Sequence, residues 1–279
     1  MKNAIYPCLW FDGKAKEAAD FYCTVFPNTV ITTENPMVEI LETAGQKFMF
    51  LNGSPHFKLN PSISFFVTCE TAEEVDQVWK KLADGGLVMM PLGKYDWSEK
   101  YGWVQDKFGV SWQLSAGKPE DVGQKFIPSL MFTRDYAGKA EKAIQFYTSL
   151  FKDSSVIGMM KYSVDDLDVT GTVKHAQFKL GKQVFMAMDS SMPHQFSFNE
   201  AISLVVDCET QEEIDYYWEK LSAVPEAEQC GWLKDQFGIS WQIVPTILEK
   251  LMSDPSRSER VINAFLQMKK FDIEKLLSA

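Results

Sequence analysis

Hydrophobic and polar positions along the chain fall into two recurring periods. Residues 5–11 form a short apolar run that predicts a strand. A segment with Ala18, Phe21, Tyr22 and Val25 on one face follows, spaced for an amphipathic helix. Three more strand-like runs, 30–33, 37–43 and 46–51, are separated by Asn35-Pro36 and Ala44-Gly45. The order then restarts. Residues 63–67 read as a strand, and Thr71 with Glu74 three positions on predicts a capped helix start. That helix would bury Val75, Val78, Trp79 and Leu82, and strands at 87–91, 103–106 and 110–114 would complete the half. The pattern is βαβββ, twice.

The whole arrangement is duplicated. Residues 62–82 align without gaps on 201–221 with 12 of 21 positions identical, and 102–114 align on 231–243 with 8 of 13. Each copy is the size of a domain rather than of a solenoid repeat. The expected organisation is a first module at 1–117, a linker at 118–124, a second module at 125–245 and a helical tail at 246–279. Tail residues Leu248, Leu251, Val261, Ala264, Phe265 and Met268 have helical spacing, which predicts an arm packed on the body; that stripe could also seal a homodimer. The copies differ in length at one place. Their offset is 139 at Cys69/Cys208 and 129 at Gly102/Gly231, so the second copy lacks ten residues there, within the aromatic segment 90–101.

Charge and cysteine usage narrow the partners. The chain of 279 residues has net charge −10, with no compensating basic run, which argues against nucleic acid and against anionic membranes. No apolar stretch approaches a membrane span, and the residues from Met1 show no signal core. The five cysteines are scattered without a C-x-x-C pair, as reduced packing thiols would be. A cytoplasmic protein is the expectation.

Several motifs carry a resemblance. They are Phe21-Tyr22, Asp96-Trp97, Tyr101-Gly102, Asp106-x-Phe108-Gly109 and Trp112 in the first copy. Phe146-Tyr147, Cys208-Glu209-Thr210, Gly231-Trp232, Asp235-x-Phe237-Gly238 and Trp241 match in the second. With them the chain resembles the vicinal oxygen chelate superfamily of glyoxalases, bleomycin-resistance proteins and extradiol dioxygenases. More closely it resembles the PhnB-like branch labelled "3-demethylubiquinone-9 3-methyltransferase". The resemblance implies an α+β fold of two tandem glyoxalase-like modules, each a pair of βαβββ units forming a curved cup, joined as an internal pseudo-dimer. It also implies a ligand in the cup and, in some members, a divalent metal.

Carried over position by position, the metal set of such members falls on Pro7, Phe50, Ser62 and Gln113 in the first copy. In the second it falls on Pro128, Met186, Ala201 and Gln242. One donor in four predicts no metal, and no cofactor is expected. The histidines add little: His56 and His194 are repeat-equivalent loop residues, and His175 has no counterpart. Asp106 and Asp235 could be bases, but Asp followed by Gly three residues on, between strands, is hairpin chemistry. Cys69 and Cys208 lie beside Glu70 and Glu209, which disfavour a thiolate.

The segment 90–101 would overhang the first module's cup. Trp97, Tyr95, Tyr101 and Gln113 are therefore the expected contacts for a small organic ligand, with His56, Gln242 and His194 as further candidates. Three functions stay open. They are metal-independent binding of a small molecule, a lyase, isomerase or dioxygenase with an atypical metal site, and a structural or regulatory module with vestigial cups. Methyl transfer fits poorly, since no glycine-rich strand-to-helix turn for a methyl-donor nucleotide is present.

Overall fold

The computed structural model describes residues 4–279; Met1 to Asn3, the start of the segment read for a signal core, lie outside the described residues. The first βαβββ unit is β1 (Ile5–Asp12), α1 (Ala15–Val25), β2 (Val30–Glu34), β3 (Val38–Thr43) and β4 (Gln46–Gly53). The second is β5 (Ile63–Cys69), α2 (Ala72–Ala83), β6 (Leu87–Tyr95), β7 (Ser98–Gln105) and β8 (Ser111–Ala116). A short linker helix, α3 (Pro119–Val122), leads to the second copy. Its first unit is β9 (Phe126–Phe132), α4 (Ala140–Leu150), β10 (Ser155–Lys161), β11 (Val173–Leu180) and β12 (Gln183–Asp189). Its second unit is β13 (Ile202–Cys208), α5 (Gln211–Leu221), β14 (Trp232–Lys234) and β15 (Ser240–Pro245). The tail forms α6 (Ile247–Met252), α7 (Ser258–Phe265) and α8 (Ile273–Ser278).

Local chemistry accounts for these elements. The hydroxyl of Thr71 accepts from the Glu74 N–H at 3.1 Å while the Glu74 carboxylate accepts from the Glu70 N–H, and Thr210 and Glu213 repeat the arrangement. Gly102 is required by proximity, because a Cβ there would lie 2.5 Å from the Trp79 ring. The aromatic segment 90–101, expected as an overhanging loop, is a β-hairpin made by β6 and β7. In the second copy the ten missing residues leave only β14 there, so one sheet has eight strands and the other seven.

The strand order decides how the duplicated units combine. The seven-stranded sheet runs β14-β15-β13-β1-β4-β3-β2 and the eight-stranded sheet β10-β11-β12-β9-β5-β8-β7-β6. β1 pairs antiparallel with β13, Cys8 opposite Ser203, and β5 pairs antiparallel with β9, Ser64 opposite Ser129. Each curved sheet therefore joins one unit of the first copy to one unit of the second, and this exchange makes the internal pseudo-dimer. The inner face of each sheet is thus shared between the two copies.

The main core lies between the sheets, on the faces that carry the helices. Tyr22 of α1 contacts Phe50 of one sheet and Trp112 of the other, and Phe48 meets Phe65 and Phe126 across the same gap. Cys69 and Cys208 are buried packing residues. Tail residues Leu251, Val261, Phe271 and Leu276 are buried in this core, so the tail spends its apolar stripe on its own body. Among the described residues no helix is long and apolar enough to cross a membrane.

Candidate ligand-binding site

Strand alternation leaves each sheet an inner face turned away from the four unit helices, with its own small apolar cluster; on the eight-stranded sheet Val122 of the linker helix α3 packs against it. On the eight-stranded sheet the cluster is Ile127, Val184 and Met186 with Phe66; on the seven-stranded sheet it is Tyr6, Cys8 and Val205 with Met49. Register lines up one cross-strand row in the middle of each. Met186 lies opposite Ser129, Ser129 opposite Ser64, and the Ser64 hydroxyl accepts from the Gln113 amide at 2.8 Å. The second row is Met49, Cys8, Ser203 and Gln242, the last joined to Ser203 at 2.9 Å. Gln113 and Gln242 thus face inward while Trp112 and Trp241 pack under the helices, as alternation predicts.

The first-strand position is one residue away from the expected one. Pro7 and Pro128 share the helix-side face of their strands with Leu9 and Leu130, and Cys8 and Ser129 face inward instead. Phe50 likewise packs on the helix side, leaving Met49 inward. A divalent ion fits neither row. Two hydroxyls, a thioether and an amide, or a thioether, a thiol, a hydroxyl and an amide, offer no carboxylate or imidazole. The Gln113 amide is spent at both ends, donating to Ser64 and accepting from the Tyr101 hydroxyl at 2.7 Å. Burial pushes the Cys8 thiol up to about 12, far from a metal-binding thiolate. Among the described residues no group of three or more His, Cys, Asp or Glu side chains converges on a common point.

Four of the expected ligand contacts come together on the eight-stranded sheet. The β6–β7 hairpin brings Tyr95 and Trp97 to 5.0 Å between ring centroids, with Tyr101 5.5 Å from Tyr95 and 5.6 Å from Trp97. Trp97 stays 64% exposed. Tyr101 is buried below it, and desolvation raises its phenol, so the hydroxyl stays protonated and donates to Gln113. Trp103, opposite Gln113 on β7, donates to Ser111 at 2.7 Å and closes the row.

The remaining candidates lie elsewhere. His194 follows β12 at the end of the sheet where Asp189 pairs with Phe132, whereas the hairpin tip lies beyond Tyr101 and Ser115, at the opposite end. Its Nε2 is 2.8 Å from the Ser190 hydroxyl, and burial lowers its pKa, keeping the ring neutral. Gln242 belongs to β15 of the seven-stranded sheet, and His56 to the loop from β4 to β5. His56 is exposed beside Phe57, at the rim of an aromatic group formed by Phe57, Trp10 and Trp232. Gln113 lies on β8 of the eight-stranded sheet, and His56 on the β4–β5 loop beside aromatic residues of the other sheet.

Asp106 and Asp235 hold the architecture. Asp235 accepts from the Tyr147 hydroxyl at 2.6 Å, Trp241 Nε1 at 2.8 Å and the N–H groups of Phe237 and Ile239 at 2.8 and 3.0 Å. Asp106 repeats the set with Tyr22, Trp112, Phe108 and Val110. Burial pushes Asp235 up to about 6 against the pull of its four donors, and Asp106 upward as well. With every lone pair engaged, neither carboxylate is directed at an inner face.

Pattern reasoning missed Trp10, Phe57 and Trp232, and it missed Ser64 and Ser203. The serines were readable: both sit in the repeated Ile-Ser pair of residues 63–64 and 202–203, two positions before Phe66 and Val205 on the same face.

Paired βαβββ units that exchange across two curved sheets, with glutamines on the inner faces, define a protein of the vicinal oxygen chelate superfamily. The 3-demethylubiquinone-9 3-methyltransferase family matches residues 3–115 and again 124–244, and the chain belongs to that family. Among solved structures it is similar to the PhnB protein of Bacillus cereus, at 39% identity over 40% of this chain and 98% of that one (TM-score 0.38). A Staphylococcus aureus protein is 30% identical over 41% of this chain and 96% of its own (TM-score 0.20). Both are spanned almost completely by less than half of this chain. Glyoxalase I from Zea mays covers 90% of this chain and 96% of its own length, at 11% identity and a TM-score of 0.57, a likeness of fold. No curated protein matches the chain.

Proposed function

We propose that the chain binds a small, flat organic molecule on the inner face of the eight-stranded sheet, at its aromatic hairpin, without a divalent metal. The observation that carries this is the Tyr95–Trp97–Tyr101 group, with Trp97 64% exposed above the Tyr101–Gln113–Ser64 hydrogen-bond chain. Trp97 and Tyr95 together form a contiguous aromatic surface, and exposed apolar surface that is contiguous marks a binding site more often than a single exposed ring does. An aromatic wall with a few fixed polar groups behind it suits a ligand held by stacking and oriented by one or two hydrogen bonds.

The seven-stranded sheet supports a different role for its own face. It has no counterpart of the β6–β7 aromatic arm, and its central residues Tyr6, Cys8, Val205 and Gln242 are as buried as Ser64, Ile127 and Met186 of the other face, so the arm is what distinguishes the two. Tyr6 donates to Asp207 at 3.0 Å and lies under the Lys47 ammonium. We assign this half to support of the fold.

Native mass spectrometry of the purified protein, with elemental analysis, tests the proposal. The expected result is a metal-free protein carrying, or titratable with, one small organic molecule per chain. Binding should quench tryptophan fluorescence in wild type, and Trp97→Ala should weaken it about tenfold or more while leaving thermal stability within about 0.5 kcal/mol. A stoichiometric transition metal, or binding untouched by Trp97→Ala, would overturn it.

A further inference from the structure

The outer edge of the eight-stranded sheet has no part in the candidate site. It lies at β10, the far end from the aromatic hairpin. Val156, Ile157 and Met160 of β10 are exposed. The β10–β11 connection adds Val164 at 83%, Leu167 at 97% and Val169. Met192 joins the patch, since the Asp168 carboxylate accepts from both the N–H and the hydroxyl of neighbouring Ser191.

The duplication identifies this connection as an addition. The offset between copies rises from 125 at Val30/Ser155 to 137 at Gln46/Gln183, so the second copy is 12 residues longer between these strands. The added loop is tied down. Asp166 accepts from the Ser163 N–H at 2.7 Å and from Lys174 at 2.5 Å, and the Tyr162 carbonyl accepts from the Gly171 N–H. Several hydrogen bonds thus hold in place a loop whose apolar side chains project into water. An ordered apolar edge of this kind needs a partner or a defence against one. A bulge between Val156 and Gly158 interrupts the ladder, so contact there would rest on side chains rather than on a continuous run of backbone bonds.

Charge along the edge selects the partner. The start of β10 is flanked by Lys152, Lys179 and Lys182 with Asp153, a net charge of 3 − 1 = +2. The other end carries Asp165, Asp166, Asp168 and Glu141 with Lys161 and Lys174, a net charge of 2 − 4 = −2, Lys161 being paired with Glu141. Across a two-fold axis perpendicular to the strand, β10 and its own copy run antiparallel, each presenting the same patch to the other. The acidic loop of each copy then lies against the lysines of the other, with Ile157 near the axis. We propose that a second copy of this chain docks here, forming a symmetric dimer through the β10 edge and the added loop.

Sedimentation velocity from micromolar to hundred-micromolar chain concentration tests this. Wild type is expected to reach twice the 31.8 kDa chain mass. Ile157→Lys and, separately, Leu167→Lys should weaken the dimer by about tenfold or more with unchanged circular dichroism. Leu167 stands almost wholly in solvent, so its variant keeps the test open if Ile157→Lys folds poorly. A Lys152→Glu/Lys182→Glu chain and an Asp165→Lys chain should each self-associate weakly and recover a dimer when mixed. A wild-type protein monomeric throughout the range overturns the proposal. So does a dimer whose affinity both lysine variants leave unchanged, which would place the contact on another surface.

Discussion

Replacing Asp235 by alanine separates a structural carboxylate from a catalytic one. The substitution removes the only acceptor shared by four donors, all within 3.0 Å. The N–H groups of Phe237 and Ile239 belong to the turn between β14 and β15, where local rearrangement can admit water. The Tyr147 hydroxyl and the Trp241 indole N–H cannot do this, since both side chains are fully buried in the main core. Each buried donor left without a partner costs about 1–3 kcal/mol, so these two alone give about 4 kcal/mol at the midpoint of that range. Tyr147→Phe removes one donor and leaves the carboxylate three, which should cost about 1–2 kcal/mol. The expected order of stability is wild type, then Tyr147→Phe, then Asp235→Ala.

Urea unfolding followed by tryptophan fluorescence at pH 8 reads these values directly. In a calorimetric melt about 4 kcal/mol corresponds to a Tm lower by about 8–16 °C for a protein approaching this size. Asp106→Ala, with the same donor set, should behave alike. If Asp235→Ala and Asp106→Ala unfold within about 0.5 kcal/mol of wild type, the carboxylates do not hold the architecture and the reasoning fails. If either abolishes ligand binding at unchanged stability, the residue belongs to the site instead.

The same carboxylate sets a pH dependence. Its folded-state pKa of about 6 lies above the ordinary 3.8, so its contribution to stability is fully present below about pH 4 and is lost as pH rises through 6. The stability of wild type relative to Asp235→Asn, which does not titrate, should therefore fall between pH 4 and 6.5 and be flat above; a rise across that window contradicts the shift. Phe271, buried under Gly231, anchors the tail to the body, so Phe271→Ala should cost about 3–5 kcal/mol in urea unfolding, and a value below 1 would mean that the tail is not part of the core. Gln242→Leu removes the donor to Ser203 on the other inner face and should leave the affinity of a ligand bound at Trp97 unchanged; a loss of binding would move the site to the seven-stranded sheet.

Much of the local structure was legible because it depends on neighbours in sequence. The Thr71/Glu74 and Thr210/Glu213 helix starts need only residues three or four apart. The inward Gln113 and Gln242, set against Trp112 and Trp241 on the helix side, follow from a period of two. Duplication was plain from the identities between 62–82 and 201–221, and the ten-residue difference near residue 97 located the hairpin that distinguishes the two sheets. Strand phase was harder to read. Pro7 and Pro128 stood in for Cys8 and Ser129, because an apolar run buried on both sides has no polar marker to show which face is which.

The sequence by itself determined the βαβββ order of three of the four units, the duplication, the turn role of Asp106 and Asp235 and the superfamily; the last unit keeps only β14 and β15 after its helix. Only the tertiary structure decided that β1 pairs with β13 and β5 with β9. That choice assembles each inner face from both copies, whereas Trp97, Tyr101 and Gln113 are brought together by the local β6–β7–β8 meander. The physical reason is that two homologous units present nearly the same apolar faces and strand edges. Local pattern is satisfied by either pairing, and only the joint packing of two sheets, four unit helices and the linker selects the exchanged one.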